Sequence, residues 1–155
     1  MDGGGVRTLA SITFLKRLEK ELGISVHEKF DFFVGTSAGA ISCLALAVKK
    51  FSSRELEGMW GTPNLRIIMR TSSWDRRLGL LQSKPKYTSE GKRTVLKNYF
   101  GSSTLGEALK PVAVLSYDIQ TRSPVLFKSY AEEDKHVSLI DVGDATSAAP
   151  IYYPT

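Results

Sequence analysis

The sequence of 155 residues has a single cysteine, Cys43, and lacks an apolar run long enough to form a membrane-spanning helix. One cysteine cannot form a disulfide within the chain, which excludes a disulfide-stapled scaffold and favours a reducing, cytoplasmic compartment. A spanning helix needs at least ~18 apolar residues, whereas the longest candidate, residues 38–48, ends at two lysines. Because no group of His, Cys, Asp or Glu has the spacing of metal ligands, we also expect no metal or other cofactor.

The composition is that of one globular domain whose charge is unevenly spread. Hydrophobic residues make up 42% and charged residues 24% of the chain, which argues against disorder. The net charge is +5, and residues 66–97 contain only two acidic side chains beside nine basic ones. The basic residues of this segment are Arg66, Arg70, Arg76, Arg77, Lys84, Lys86, Lys92, Arg93 and Lys97.

Such a segment predicts an anionic partner, unless its charges only keep a solvated loop soluble. Phospholipid headgroups, nucleic acid and an acidic protein are the candidate partners. We expect no nucleic acid, because the aromatic–basic alternation of single-strand readers is missing, and we take peripheral binding to an anionic membrane as the hypothesis. Much of the segment belongs to residues 61–88, a long excursion without sustained periodicity. Trp60 directly precedes these residues and Trp74 lies within them, either as membrane-interface anchors or as packing residues.

Hydrophobic periodicity predicts strands alternating with helices, and therefore an α/β fold with three layers (α/β/α) and a mostly parallel sheet. Residues 30–34 are apolar enough for a strand buried on both faces. Ser52 and Glu55 have the spacing of a capping box that opens a short helix. We predict further helices over residues 7–22, 40–49, 89–99 and 137–149, and strands over residues 111–118 and 125–128, the last two joined by a turn containing Pro124.

The strongest functional signal is Gly35-x-Ser37-x-Gly39 between a predicted strand and a predicted helix. A serine on such a tight turn has its hydroxyl raised to the edge of the sheet, and the flanking glycines allow close backbone approach. The N-terminus of the next helix favours negative charge developing there. We therefore predict that Ser37 is a nucleophile; the alternative is a packing turn in which Ser37 only caps the helix.

A second signal is Asp2-Gly3-Gly4-Gly5-Val6-Arg7, directly before a predicted helix. Three consecutive glycines can turn unhindered N–H groups toward an anion. Either phosphate binding or stabilisation of an oxyanion during acyl transfer would use them. The presence of a serine elbow favours the oxyanion.

These two motifs, followed by Ala-Thr-Ser-Ala-Ala-Pro at residues 145–150, resemble the patatin-like phospholipases over residues 1–155. The resemblance implies a serine lipid acyl hydrolase that cleaves phospholipids or lysophospholipids through a Ser–Asp dyad. It makes Ser37 the nucleophile and the amides of Gly3, Gly4 and Gly5 the oxyanion hole. Asp2 and Arg7 would support the glycine loop, and Gly35 and Gly39 the elbow.

The sequence departs from the family pattern in three places. The family's catalytic aspartate belongs to an Asp-Gly-Gly or Asp-Gly-Ala motif beyond residue 155, the opening strand is missing, and Thr8 replaces a glycine. We therefore expect a domain trimmed at both ends, with its base outside this chain. An unpaired sheet edge would then favour self-association, which a monomeric mass in solution would contradict.

Other candidates for the base are weaker. Asp118 and His136 follow the serine in the order of a conventional triad, but His136 lies in a polar, solvated stretch. Neither Asp141 nor Asp144 is followed by two glycines. His27 precedes the elbow and is interpreted as a surface residue.

Two further functions remain open from the sequence. An inactive lipid- or protein-binding remnant of the fold would explain the missing base. An acyltransferase would need a histidine beside the elbow serine, where this chain has Thr36.

Overall fold

The computed structural model describes residues 1–71 and 85–154. The chain forms, in order, a short 3-10 helix (Gly5–Arg7), α1 (Thr8–Leu22), α2 (Val26–Lys29), β1 (Phe33–Thr36), α3 (Ser37–Lys49), α4 (Ser53–Met59), α5 (Thr62–Ile68), α6 (Ser89–Phe100), a 3-10 turn (Leu105–Glu107), β2 (Val112–Asp118), β3 (Ser123–Lys128), a 3-10 turn (Glu132–Asp134) and α7 (Leu139–Thr146).

The three strands form one sheet in the order β1-β2-β3. Strand β1 runs parallel to β2, with Phe33 opposite Val112, and β3 runs antiparallel to β2. Helices α3 and α7 pack against one face of this sheet, and α6 packs on α7. The predicted α/β class is confirmed.

Helix α3 is the centre of the core. Its residues from Ala38 to Val48 are all buried, because a helix that is apolar on every side must be enclosed. Its small alanines let β1 and β2 approach closely. Cys43 is 1% exposed, and burial raises the pKa of its thiol to about 11.

The element predictions hold except at several boundaries. Strand β1 begins three residues later than predicted, and α7 is shorter at both ends than residues 137–149. Pro124 lies within β3 opposite Tyr117, not in the turn. The capping box is present, and the backbone hydrogen bond from Ser52 lowers the pKa of Glu55.

The predicted burial of β1 on both faces is wrong. Val34 is 47% exposed, and on the same face of the sheet Leu115, Tyr117 and Leu126 are also exposed. The apolar composition of the strands predicts burial, but none of the described helices covers this face closely enough to bury these side chains.

The outer edge of β1 is partly paired by the first residue of the chain. The Met1 nitrogen donates to the Val34 carbonyl at 2.5 Å, and the Met1 carbonyl accepts from the Thr36 N–H at 3.3 Å. Met1 thus pairs with β1 beside the glycine loop. Self-association through the rest of this edge stays a prediction.

The structure corrects the predicted exposure of His27 and decides between the two alternatives for Trp60. His27 is buried, and its Nδ1 lies 2.9 Å from the Leu46 carbonyl oxygen. Trp60 is also buried, and its indole N–H donates to Ser42 Oγ at 2.9 Å. Trp60 is therefore a packing residue, while Trp74 and the rest of residues 72–84 of the basic excursion lie outside the described residues.

In the part of the chain that the structure describes, no helix has the length and apolar character needed to span a bilayer.

Candidate active site

The predicted strand–turn–helix around Ser37 is present, with Ser37 as the first residue of α3 directly after β1. Its φ is 52°, in the left-handed region that non-glycine residues rarely adopt. Strain of this kind is maintained only where the surroundings enforce it, and it clusters at functional sites. The half-buried Ser37 also lies at the positive end of the α3 dipole.

The two elbow glycines are required by close backbone contacts. A Cβ atom on Gly39 would overlap the main-chain oxygens of Met1 and Asp2. A Cβ atom on Gly35 would lie 2.7 Å from the Ala40 nitrogen. Gly39 therefore allows the N-terminal segment to cross directly over the start of α3.

That crossing brings the glycine loop to the serine. A Cβ atom on Gly3 would lie 3.0 Å from the Ser37 Cβ, so the two residues are in direct contact. Gly4 and Gly5 have φ values of 146° and 57°, conformations that favour glycine. The loop is closed by a hydrogen bond of 3.2 Å from the Arg7 N–H to the Gly4 carbonyl.

Serine and loop open onto one cavity of about 510 Å³, a volume typical of small-molecule sites. Gly4, Gly5, Arg7 and Ser37 line one part of it. The remaining wall is mainly apolar and aromatic, and it includes Ile41, Met59, Trp60, Leu65, Ile68, Val95, Leu96, Tyr87, Tyr152 and Tyr153. This cavity suits a hydrocarbon chain whose polar end meets Ser37.

A buried lysine in the cavity wall was missed at the sequence level. The side chain of Lys92 is 3% exposed, and its Nζ lies 2.8 Å from Asp144 Oδ1 and 4.2 Å from the Tyr153 ring centre. Burial lowers the pKa of Lys92, and Asp144 opposes that shift. The sequence contained a signal for this burial: Lys92 is spaced i, i+3, i+4 with Val95 and Leu96 on α6, which places the lysine on the apolar face of the helix.

The other carboxylates that the sequence considered are engaged elsewhere. Both oxygens of Asp118 accept hydrogen bonds from the turn after β2, which lowers the pKa of this carboxyl. Asp141 and Asp144 both pair with Arg93, at 2.8 and 2.9 Å. His136 is exposed. Asp118 thus stabilises the turn that follows β2, and the carboxylates of Asp141 and Asp144 connect α7 to α6.

The Gly39→Ala substitution tests the crossing of the loop over the elbow. We expect it to lower the free energy of unfolding by about 1–3 kcal/mol, because the methyl group overlaps the main chain of Met1 and Asp2. Gly58→Ala is the matched control, since a Cβ there meets no atom within 4 Å. It should stabilise α4 by roughly 0.5–1 kcal/mol. Urea unfolding of both variants measures the difference, and equal effects would contradict this packing.

The chain is similar to known proteins along its whole length. Residues 1–155 match the family described as patatin-like phospholipase. The chain is 34% identical over 158 residues to a cGAMP-activated phospholipase of Pseudomonas aeruginosa, covering 99% of this chain and 47% of that protein. It is 29% identical to patatin-like protein 4 of Arabidopsis thaliana and 30% identical to a cGAMP-activated phospholipase of Escherichia coli, covering 99% of this chain and 42% and 46% of those proteins.

The chain spans about half the length of the curated relatives it matches. The family match covers all of its residues, including the elbow and the glycine loop. The chain therefore belongs to the patatin-like phospholipase family.

Proposed function

We propose that this protein is a serine acyl hydrolase that cleaves acyl esters of phospholipids or lysophospholipids. The observation that carries the proposal is that Ser37 and the loop glycines Gly4 and Gly5 line the same, mainly apolar cavity. The family match and the relatives named as phospholipases support the same reaction class.

The reaction begins when Ser37 Oγ attacks the ester carbonyl carbon and loses its proton to a base. The carbonyl oxygen becomes an oxyanion, which the main-chain N–H groups of Gly3, Gly4 and Gly5 stabilise. Such preorganised donors contribute several kcal/mol to acyl transfer (roughly 3–4 for one donor). When the intermediate collapses, the alcohol oxygen of the lysophospholipid or glycerol product leaves and takes the proton held by the base. Water then hydrolyses the acyl-serine and releases the fatty acid.

The base in this proposal is an aspartate outside these 155 residues, forming a Ser–Asp dyad. A serine hydroxyl needs such an adjacent base at neutral pH. The ion pairs of Asp141 and Asp144 with Arg93 support this assignment, because both carboxylates already neutralise cations. Asp2 and Arg7 then have supporting roles in the loop.

Replacing the proposed nucleophile tests the function most simply. In the full-length protein, Ser37→Ala should lower hydrolysis of a short-chain chromogenic ester and of phospholipid vesicles by about 10³-fold or more, because it removes the attacking oxygen. Ser102→Ala, at an exposed turn serine, is the control and should keep wild-type rates. Equal rates for wild type and Ser37→Ala would contradict the proposal.

The second candidate is a remnant of the fold that binds lipid or protein without catalysis. It is favoured by the engagement of the described α7 carboxylates with cations. Wild-type protein that binds phospholipid but shows no Ser37-dependent hydrolysis would establish it.

We further propose that the protein acts from the cytoplasm at an anionic membrane surface. The apolar side chains of Val6, Met69 and Tyr152 line the cavity and are 37–49% exposed, and the neighbouring Ile151 is 72% exposed. A cation lies beside these side chains: Lys86 Nζ is 5.9 Å from the Tyr152 ring centre. Apolar side chains with adjacent basic groups are typical of surfaces that lie in the membrane interface.

Sedimentation with vesicles tests this surface. We expect binding to vesicles containing anionic lipid, weakened by added salt because surface charges are screened. Ile151→Asp should reduce vesicle affinity roughly tenfold, since one apolar side chain no longer enters the interface. Leu109→Asp is the matched control. Leu109 is also exposed, at 56%, but its main-chain N–H donates to the Ala47 carbonyl, near the end of α3 that is farther from Ser37. No preference for anionic lipid, or equal losses in both variants, would refute the membrane surface.

A further inference from the structure

The main-chain N–H of Ser37 is held by a side chain from the far end of the sequence. As the first residue of α3, Ser37 has no carbonyl partner within its helix. Its N–H instead donates to Thr146 Oγ1 at 2.8 Å, across 109 residues. Thr146 is the last residue of α7.

The same hydroxyl also bonds the sheet. Thr146 Oγ1 donates to the Leu115 carbonyl at 2.6 Å, and Leu115 lies opposite Thr36, the residue before Ser37. The directions are fixed, because an N–H can only donate and a carbonyl can only accept. One hydroxyl therefore connects the elbow, the neighbouring strand and the end of α7.

The end of α7 is itself anchored. Lys92 donates to the Asp144 main-chain carbonyl at 3.2 Å and pairs with its carboxylate at 2.8 Å. Ser147 Oγ donates to the Gly143 carbonyl at 2.5 Å. These contacts leave the Thr146 hydroxyl little freedom to move away from the elbow.

We propose that Thr146 is the positioning residue for the nucleophile, holding Ser37 in its left-handed conformation. This inference rests on the proposed function. The hydrogen bond also occupies the Ser37 amide, so this N–H is not a donor to the oxyanion. Because a displacement of about 1 Å at a reacting group can reduce the rate about 10²-fold, the effect should appear in kcat. KM should change little, because the Thr146 side chain is not among the residues that line the cavity.

Three threonine variants test this role in the full-length protein. Thr146→Val removes the hydroxyl but keeps the shape, and kcat for ester hydrolysis should fall about 10²-fold with little change in KM. Thr146→Ser keeps the hydroxyl and should restore kcat to within about threefold of wild type, given the same hydrogen bonds. Thr13→Val is the matched control, because this exposed hydroxyl bonds only the Leu9 carbonyl of its own helix, and kcat should not change.

Amide hydrogen exchange gives a second readout that does not need turnover. Exchange of the Ser37 amide should accelerate in Thr146→Val but not in Thr146→Ser. Unchanged exchange in Thr146→Val overturns the hydrogen bond. Wild-type kcat in that variant overturns the positioning role. A wild type without Ser37-dependent hydrolysis instead contradicts the proposed function, and exchange alone then decides whether Thr146 holds the elbow.

Discussion

The left-handed backbone of Ser37 is the constraint around which the rest of the site is arranged. A non-glycine residue pays about 1–2 kcal/mol for this conformation, and it persists because contacts on every side enforce it. Gly39 makes room for the main chain of Met1 and Asp2. The same crossing brings Gly3 against the serine. Elbow and glycine loop are therefore one packing unit, although about thirty residues separate them in sequence.

The opposite side of the site is built from the packing of α6 on α7. Lys92 and Arg93 on α6 face Asp141 and Asp144 on α7, two cations against two carboxylates. A buried lysine without a partner would be strongly destabilising, so the Lys92–Asp144 pair lets a charged side chain line an otherwise apolar cavity. Burial raises the pKa of the adjacent Tyr153 to about 12, which keeps its phenol neutral. The part of the wall around Lys92 and Tyr153 thus presents little net charge to a hydrocarbon chain.

Local patterns in the sequence were sufficient for the α/β class, the elbow around Ser37 and the glycine loop, because turns and glycine conformations are decided by neighbouring residues. They failed where burial depends on distant elements. The apolar composition of the strand predicted that Val34 is buried, but composition does not reveal which elements cover each face of the sheet. His27 was predicted exposed, yet it lies under the end of α3. The Thr146 contact joins residues 109 apart, and no periodicity within either segment predicts it.

In the proposed reaction Ser37 attacks the ester while the glycine loop stabilises the negative charge on the oxyanion. A crystal structure of the full-length protein after reaction with a fluorophosphonate tests it most directly, since the adduct mimics the tetrahedral intermediate. We expect phosphorus bonded to Ser37 Oγ, with its unesterified oxygen about 2.7–3.1 Å from main-chain nitrogens of Gly3, Gly4 or Gly5. An unmodified Ser37, or a phosphoryl oxygen directed away from the glycine loop, would contradict it.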